Sequence, residues 1–323
     1  MNVCKRAPAT QTVNGVKVSA YVDPSLYLKI SEFEPRDGDI IQVTFPRSGT
    51  HWVQQIVQLL LNNGESAKSL AEFTTRAPFL ELHGAPKTDS PRLLRTHVPL
   101  EKLQLSKKAK YIYVARNPWD CCVSNFHMMQ DLPAYQFKDG TFDEFFEAFL
   151  AGQFGFGSYF DHVLSGWKHL HDTNFFFVTY EELHENKADV VLRLAEFLGE
   201  DYQKALRDDK EFYDNVLRKS SFSFMKELMK SNTAEMIEMF NAKSVSDSAL
   251  QNLFQDGLII QEEANLVRKG SVGGWKPYFS NENMGRMQSV LDEKFKSTIF
   301  GKRFESFFQC VPWFSGDQIS HSV

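Results

Sequence analysis

The sequence predicts a single α/β domain with a central, mainly parallel sheet flanked by helices. Short apolar runs rich in β-branched or aromatic residues alternate with amphipathic stretches, which is the pattern of a parallel sheet covered on both faces. The 323 residues are 42% hydrophobic and 24% charged. This composition supports a large core and argues against a disordered or fibrous chain. No linker-like segment divides the chain, so we expect one domain.

The first predicted unit is a strand, a tight loop and a helix. Residues 39–45 read as a buried strand because they are short and rich in β-branched side chains. Residues 46–50, the sequence PRSGT, follow as a tight loop. Residues 51–61 place their apolar side chains on one helical face, and residues 62–64, Asn-Asn-Gly, form a helix-ending signal.

A second unit repeats this order. Residues 111–115 form an apolar run that predicts a strand. The helix after it is predicted to have Asn117 as its N-cap and Pro118 at its first position, with Asp120 in the first turn, where a negative charge favours the helix dipole.

The remaining segments complete the domain plan. Residues 175–179 predict a third buried strand, and residues 190–198 an amphipathic helix. Residues 1–36 are interpreted as an N-terminal arm packed on a domain of residues 37–310. Within that domain, residues 231–262 mix polar residues with short apolar pieces and are interpreted as a lid or surface insertion. Residues 311–323 are left as a C-terminal tail.

Charge and cysteine content exclude several classes of protein. The formal net charge of −5 gives no bulk attraction to nucleic acid or to an anionic membrane. No run approaches the roughly 20 apolar residues that span a bilayer, and the N-terminus lacks the apolar core of a signal peptide. Cys4, Cys121, Cys122 and Cys310 show neither CxxC nor zinc spacing and are interpreted as reduced thiols. We therefore expect a cytoplasmic protein.

Positively charged loops follow the predicted strands and indicate a site for phosphate groups. A strand, tight loop and helix present backbone N–H groups to an anion, and Arg47 adds a fixed charge. This loop lacks the Walker A pattern GxxxxGK[ST], and on its own it is also compatible with an ordinary turn. Arg116 ends the second strand, and residues 266–276 form a basic, glycine-rich loop. Together these loops predict a ligand with at least two phosphate groups.

Taken in order, several motifs resemble those of the cytosolic sulfotransferases. They are FPRSGTHW, RLLRTHVPL, YVARNPWD, VTYEEL, SSFSFM and RKGSVGGWK. The resemblance extends from about Tyr21 to Phe308 and implies a sulfotransferase domain with a P-loop-like phosphosulfate-binding loop. Members of that family transfer a sulfuryl group from 3′-phosphoadenosine-5′-phosphosulfate (PAPS) to a hydroxyl or amine acceptor without a metal. The product of the donor is 3′,5′-adenosine bisphosphate (PAP).

The resemblance implies a role for each matching residue. The residues that would hold the 5′-phosphosulfate are Arg47, Ser48, Gly49, Thr50 and His51. Those that would hold the 3′-phosphate are Arg116, Ser124, Arg268, Lys269 and Gly270. Those that would contact the adenine and its ribose are Trp52, Tyr180, Ser220 and Phe222. No residue is assigned to a metal.

Catalysis and acceptor binding are assigned in the same way. His97 is the predicted general base, since a neutral imidazole can accept the proton of a hydroxyl at neutral pH. Arg47, Ser124 and Arg95 are the other predicted catalytic residues. The remaining histidines outside the phosphate loop, His162 among them, are interpreted as structural. The predicted acceptor-pocket residues, besides His97, are Phe79, Phe126 and Met128, and all three are equally compatible with the core.

The chain departs from the pattern of the family at several positions. Arg47 and Arg95 stand where lysine is usual, and His51 stands where threonine is usual. Gly274 replaces an acidic residue. The dimerisation motif of the family is degraded, and its positions are occupied by Lys276, Ser280, Asn281 and Gly285. We therefore expect a monomer, or a dimer formed through another surface.

The motifs support one main function and leave two alternatives. The main hypothesis is sulfuryl transfer to a small lipophilic acceptor such as a phenol, a catecholamine or a steroid-like alcohol. The alternatives are a dehydratase that activates an alcohol by sulfation, and a nucleotide-binding protein without turnover, such as a sensor or an inactive paralogue. A P-loop kinase is disfavoured because the Walker A lysine and a metal-binding carboxylate motif are missing.

Overall fold

The computed structural model describes residues 6–88, 91–231 and 264–295. Nearly all of the predicted lid or insertion and the whole C-terminal tail lie outside these ranges, as do Cys4 and Cys310. Within them the strands are β1 (Thr10–Val13), β2 (Val16–Ser19), β3 (Ile40–Thr44), β4 (Leu93–Thr96), β5 (Lys110–Ala115), β6 (Phe175–Thr179), β7 (Lys230–Ser231) and β8 (Ala264–Asn265).

Helices cover most of the remaining described chain. They are α1 (Pro24–Lys29), α2 (Thr50–Leu61), α3 (Leu70–Arg76), α4 (Leu80–His83), α5 (Pro118–Asp131), α6 (Phe142–Leu150), α7 (Tyr159–Trp167), α8 (Tyr180–Glu185), α9 (Lys187–Leu198), α10 (Glu200–Asp208), α11 (Lys210–Lys219), α12 (Phe222–Leu228) and α13 (Asn281–Phe295). Short 3₁₀ turns follow α1, β4 and α5.

The central sheet has the strand order β4-β3-β5-β6, and all of its neighbouring strands are parallel. Ile40 of β3 lies opposite both Leu93 and Lys110, and Tyr111 of β5 lies opposite Phe175. The carboxyl ends of the four strands therefore meet at one edge of the sheet, which is where open α/β sheets bind ligands. The predicted α/β fold with a parallel sheet flanked by helices is confirmed.

Two apolar cores cover the two faces of the sheet. Successive side chains of a strand point to opposite faces, so Ile41 of β3 and Tyr111 of β5 join one core while Ile40 and Ile112 join the other. The first core is aromatic and contains the phenylalanines of α6. The second is aliphatic and contains the buried face of α2 together with α9. Burial on both faces explains why the strands are nearly continuous apolar runs.

The N-terminal hairpin packs close to the end of β4. Strands β1 and β2 pair antiparallel, and Asn14 and Gly15 of their connecting turn both have positive φ. Val18 and Val22 are buried in a small cluster with Phe79 and Phe156. This packing brings the start of the chain next to the turn that follows β4, since Val98 belongs to the same cluster.

Capping groups define where the helices begin. Asn117 accepts a hydrogen bond from the backbone N–H of Asp120, and Pro118 occupies the first turn of α5. Both features were predicted from the sequence. Helix α2 begins at Thr50, directly after Gly49, which has a φ of 104°.

Candidate active site

A cavity of about 380 Å³ lies at the carboxyl edge of the central sheet. The predicted site residues that line it are Arg47, Gly49, Thr50, His51, Trp52, Phe79, His97, Arg116, Ser124, Met128, Tyr180, Phe222, Arg268, Lys269 and Gly270. Further walls come from the hairpin, through Ser19, Tyr21 and Val22, and from Tyr135 and Phe156. The cavity thus joins residues that lie more than 200 positions apart in the chain.

The phosphate loop between β3 and α2 is held in a compact, left-handed turn. Arg47 has a φ of 67° and Gly49 a φ of 104°. A Cβ atom on Gly49 would lie 2.9 Å from Cδ2 of Tyr180, so a larger residue would force the loop and that ring apart. Thr44 and Thr50 share a hydroxyl hydrogen bond of 2.7 Å beneath the loop. The first turn of α2 therefore borders the cavity with N–H groups that a helix leaves unpaired, a common anion site.

Arg47 and Arg116 fasten the phosphate loop to the glycine-rich loop. Nε of Arg47 donates to Oγ of Ser124 at 3.0 Å, and its Nη1 donates to the carbonyl oxygen of Leu266 at 2.9 Å. Nη1 of Arg116 donates to the carbonyl oxygen of Arg47 at 3.1 Å, and its Nη2 donates to that of Ser271 at 3.1 Å. Most of the arginine contacts are therefore to neutral carbonyl oxygens, which leave the positive charge uncompensated.

Arg268 completes a cluster of three guanidinium groups. Among the residues that the structure describes, none of the three forms an ion pair with a carboxylate, and Nε of Arg268 is buried without a hydrogen-bond partner. Burial, reinforced by the charges of Arg116 and Arg268, lowers the pKa of Arg47 to about 10. Buried charges are stabilised by a partner of opposite sign. This end of the cavity is therefore suited to a ligand with several negative charges.

Asp120 anchors the glycine-rich loop to the start of α5. Its Oδ2 accepts a hydrogen bond from the N–H of Gly273 at 2.7 Å, and its Oδ1 accepts one from the N–H of Trp275 at 3.1 Å. Nδ2 of Asn117 also donates to Oδ2 at 2.9 Å. The sequence indicated only that Asp120 favours the helix dipole. The structure adds that it fixes the loop that carries Arg268.

Aromatic side chains line the cavity next to the cationic end. The rings of Trp52 and Tyr180 have centroids 5.3 Å apart, and Cζ of Arg116 lies 4.3 Å from the centre of the Tyr180 ring. Nε1 of Trp52 donates to the carbonyl oxygen of Ser220 at 2.7 Å, which fixes the indole. Phe222 lines the cavity with 43% of its surface exposed. A flat heteroaromatic ring fits such a surface.

His97 lies beyond the end of β4 and faces the cavity. Its Nδ1 lies 2.8 Å from the carbonyl oxygen of Thr44, so Nδ1 carries the proton and donates. Nε2 has no hydrogen-bond partner among the described residues. Burial lowers the pKa of His97 to about 4, and the charge of Arg95 acts in the same direction, against the hydrogen bond to Thr44. The imidazole is therefore neutral at pH 7, with a free lone pair on Nε2.

Aromatic side chains enclose this second end of the cavity. The rings of Phe79 and Phe156 have centroids 4.9 Å and 5.4 Å from that of His97. Tyr21 and Tyr135 stand edge to face at 5.6 Å. The hydroxyl groups of Ser19 and Tyr135 share a hydrogen bond of 2.6 Å. Aromatic walls with a few polar groups suit a flat, largely apolar molecule.

Two residues that the sequence did not single out for catalysis hold the backbone of His97. Oε1 of Glu81 accepts a hydrogen bond from the N–H of His97 at 2.8 Å. Nε2 of His162 lies 3.0 Å from the carbonyl oxygen of His97 and donates to it, and the hydroxyl of Tyr113 contacts Nδ1 of His162 at 2.6 Å. No motif marks Glu81, and His162 was interpreted as structural. Both contacts depend on packing between distant parts of the chain.

Some predicted site residues lie behind the walls of the cavity. Arg95 is fully buried, its Nε donates to the carbonyl oxygen of Ala77 at 2.6 Å, and its Cζ stacks 4.2 Å from the centre of the Phe79 ring. Phe126 is buried in the aromatic core against Phe145. Ser48 and Ser220 are also fully buried. The structure therefore does not bring these four side chains into the cavity.

Potential metal ligands are not clustered in the described residues. These residues contain no group of three or more His, Cys, Asp or Glu side chains that could hold a metal ion. No helix in the described ranges is long and apolar enough to cross a membrane. Cys121 and Cys122 are buried free thiols, and burial raises the pKa of Cys121 to about 12.

Comparison with known proteins identifies the family. The family model for the sulfotransferase domain matches residues 37–299. The chain belongs to the sulfotransferase family. It is 33% identical over 290 residues to Sulfotransferase 1B1 of Mus musculus, an alignment that covers 84% of this chain and 87% of the relative.

Solved sulfotransferase structures share this fold. Mouse sulfotransferase SULT7A1, complexed with PAP, aligns with a TM-score of 0.70 at 26% identity and covers 94% of this chain and 99% of its own. Retinol dehydratase, in complex with androsterone and PAP, aligns with a TM-score of 0.68 at 23% identity and covers 84% of each chain. The second likeness shows the fold alone.

The protein is thus a PAPS-dependent sulfotransferase, and its cavity fits that donor. The unpaired guanidinium groups match a molecule with a 3′-phosphate and a 5′-phosphosulfate, since arginine forks pair with phosphate oxygens. The buried Nε of Arg268, which has no partner among the described residues, is a donor that such a phosphate can satisfy. The rings of Trp52 and Tyr180 next to these groups supply an aromatic surface on which an adenine can stack.

Proposed function

We propose that this sulfotransferase transfers the sulfuryl group of PAPS to a hydroxyl group of a small lipophilic acceptor, with His97 as the general base. The observation that carries this proposal is the imidazole of His97. Its Nδ1 is fixed on the carbonyl oxygen of Thr44, and its Nε2 faces the cavity without a partner among the described residues. A base in this state is ready to accept a proton.

The residues around the cavity divide the work of the reaction. PAPS supplies a sulfuryl group already activated by its bond to phosphate. Nε2 of His97 takes the proton from the acceptor hydroxyl while that oxygen attacks sulfur. Arg47 stabilises the negative charge that the departing phosphate gains, because preorganised donors in an enclosed cavity act strongly on developing charge. Arg116, Arg268 and Lys269 hold the 3′-phosphate.

The aromatic walls near His97 favour an acceptor molecule that is flat and largely apolar. Phe79 and Phe156 flank the imidazole, and Tyr21 and Tyr135 continue the same aromatic surface. A phenol, a catecholamine or a steroid-like alcohol has this character. The likeness to retinol dehydratase concerns the fold alone, so it does not favour dehydration over simple transfer. We place the reaction in the cytoplasm, where buried free thiols such as Cys121 and Cys122 stay reduced.

The test is the variant His97→Ala. Turnover with labelled PAPS and a panel of phenols, catecholamines and steroid alcohols should fall by about 10² or more, the usual cost of removing a general base. Affinity for PAP, measured by calorimetry, should change less than twofold because His97 lies away from the cationic end. His171→Ala, at an exposed histidine outside the cavity, is the matched control. Near-normal kcat in His97→Ala would refute the proposed base.

A further inference from the structure

The carboxylate of Glu81 is bound to the turn that carries His97. Glu81 lies in α4 with none of its surface exposed to solvent. Its Oε1 accepts the N–H of His97 at 2.8 Å, and its Oε2 accepts the hydroxyl of Thr96 at 2.8 Å. Oγ1 of Thr96 in turn accepts the N–H of Val98 at 3.0 Å. The Glu81 side chain thus holds Thr96 and His97 directly, and Val98 through Thr96.

Contacts on the other sides of His97 leave its backbone little freedom. The carbonyl oxygen of His97 accepts a hydrogen bond from Nε2 of His162 at 3.0 Å, and the imidazole donates through Nδ1 to Thr44. The N–H, the C=O and one ring nitrogen are therefore all fixed. Only Nε2 is left for chemistry. Of the groups that fix His97, only Glu81 carries a charge that changes with pH close to neutrality.

We propose that Glu81 is a positioning residue for catalysis, whose ionised carboxylate fixes the peptide group of His97 so that Nε2 points at the acceptor hydroxyl. The inference rests on the proposed function, in which His97 is the base. Glu81 acts through the backbone of His97 and needs no contact with either substrate.

The energetics of burial favour a functional role over a purely structural one. A buried carboxylate without a direct ion pair is costly, and two neutral donors offset that cost only in part. Two charged or titratable side chains face Glu81, Arg95 on β4 and Tyr27 on α1, and His97 contacts it through its backbone N–H. Arg95 is the one cation among them, and its guanidinium is turned toward Ala77 and the Phe79 ring. An ionised acceptor forms a stronger and more directional hydrogen bond than a neutral one, which is what positioning requires.

The proposal has a consequence for the pH profile. Burial raises the pKa of Glu81 to about 7, against the hydrogen bonds from His97 and Thr96 and the charge of Arg95, which lower it. As pH falls through 7, Glu81 gains a proton and the N–H of His97 loses its anionic acceptor. The acid side of the profile should therefore reflect Glu81 near pH 7, well above the pKa of about 4 of His97.

The experiment compares Glu81→Gln with Asp39→Asn and with His97→Ala, each made in the full chain. Glutamine keeps the shape of the side chain and one acceptor oxygen but carries no charge. We expect kcat to fall about tenfold, the lower range for one charge-assisted hydrogen bond, with the Kd of PAP changed less than twofold. The acid limb of kcat/KM should move to lower pH by at least one pH unit. Asp39→Asn is the matched control, since Asp39 is an equally buried carboxylate at the opposite edge of the sheet. It should lower Tm and leave kcat unchanged.

The outcomes separate this inference from the proposed function. An unchanged kcat and pH profile in Glu81→Gln, together with an inactive His97→Ala, would overturn the positioning role alone. An active His97→Ala would overturn both. If Glu81→Gln does not fold, the positioning role is tested with Thr96→Val and Thr96→Ser. Only serine keeps the hydroxyl that donates to Oε2 of Glu81. A loss of kcat in the valine variant that the serine variant restores supports the role, and equal kcat in the two refutes it.

Discussion

Arg47 occupies a position where the sequence motif of the cytosolic sulfotransferases usually has lysine. Its contacts show what a guanidinium group adds there. Nε reaches Ser124 on α5 while Nη1 reaches the carbonyl oxygen of Leu266. A single ammonium group is a compact donor that cannot span two partners in this planar arrangement. The arginine therefore connects the phosphate loop, α5 and the glycine-rich loop through one side chain.

The predicted binding of the 3′-phosphate by Arg116 and Arg268 can be tested with alanine variants. Arg116→Ala and Arg268→Ala should each weaken PAP much more than adenosine 5′-monophosphate, which lacks that phosphate. Each variant loses a charge-assisted contact worth about 1.5–3 kcal/mol. Calorimetric titration with the two nucleotides measures the difference. Arg193→Ala, which removes a guanidinium paired with Glu182 outside the cavity, should affect neither ligand. Equal weakening of both nucleotides in the cavity variants would show that the two arginines only support the fold.

At the scale of the elements, local patterns predicted most of the sheet and its flanking helices. The strand predicted at residues 175–179 is β6, and the one predicted at residues 39–45 contains β3. Burial on both faces produces apolar runs that are visible in a single sequence. The cap of α5 was also visible, because Asn and Pro act through contacts within three residues.

Contacts over long separations were not predictable in this way. Glu81 lies 16 residues from His97, and His162 lies 65 residues from it. Tertiary packing alone brings these side chains to the end of β4. The same reason separates Phe79, which lines the cavity, from Phe126, which is buried in the core. Nothing in the sequence around either phenylalanine distinguishes the two positions.

The attachment of the glycine-rich loop to α5 gives a prediction at this scale. Asp120→Asn keeps one oxygen acceptor and turns an NH₂ donor toward a backbone N–H, so either Gly273 or Trp275 loses its partner. We expect the Kd of PAP to rise about tenfold, since the loop carries Arg268 and the lost acceptor was charged. Titration calorimetry measures the change.

The control for Asp120 is a similar contact outside the cavity. Asp143 accepts a hydrogen bond from Nδ2 of Asn283 at 2.8 Å and so joins α6 to α13. Asp143→Asn should leave the affinity for PAP unchanged. An unchanged affinity in Asp120→Asn as well would mean that the loop keeps its position without this anchor.

At the scale of the whole molecule, the surface around residues 276–285 bears on assembly. Lys276, Ser280, Asn281 and Gly285 are all exposed, and Gly285 offers no side chain to a partner. A dimer with two-fold symmetry needs complementary groups on this one surface. We expect a monomer, or a dimer formed elsewhere. Light scattering at micromolar protein, repeated on Lys276→Glu, measures this. A stable dimer that the single substitution dissociates would contradict the expectation.

The contribution of the hairpin to the cavity has a consequence for how such an enzyme diverges. Ser19, Tyr21 and Val22 line the cavity, yet they precede residue 37, where the match to the family model begins. Tyr21 and Val22 pack in one cluster with Phe79 and Phe156, the rings that flank His97. Mutations that accumulate in this peripheral hairpin reshape one wall without altering a strand of the central sheet. Under the proposed function, acceptor preference and donor chemistry are therefore separable, and exchanging this segment between paralogues is expected to change acceptor selectivity while preserving the reaction with PAPS.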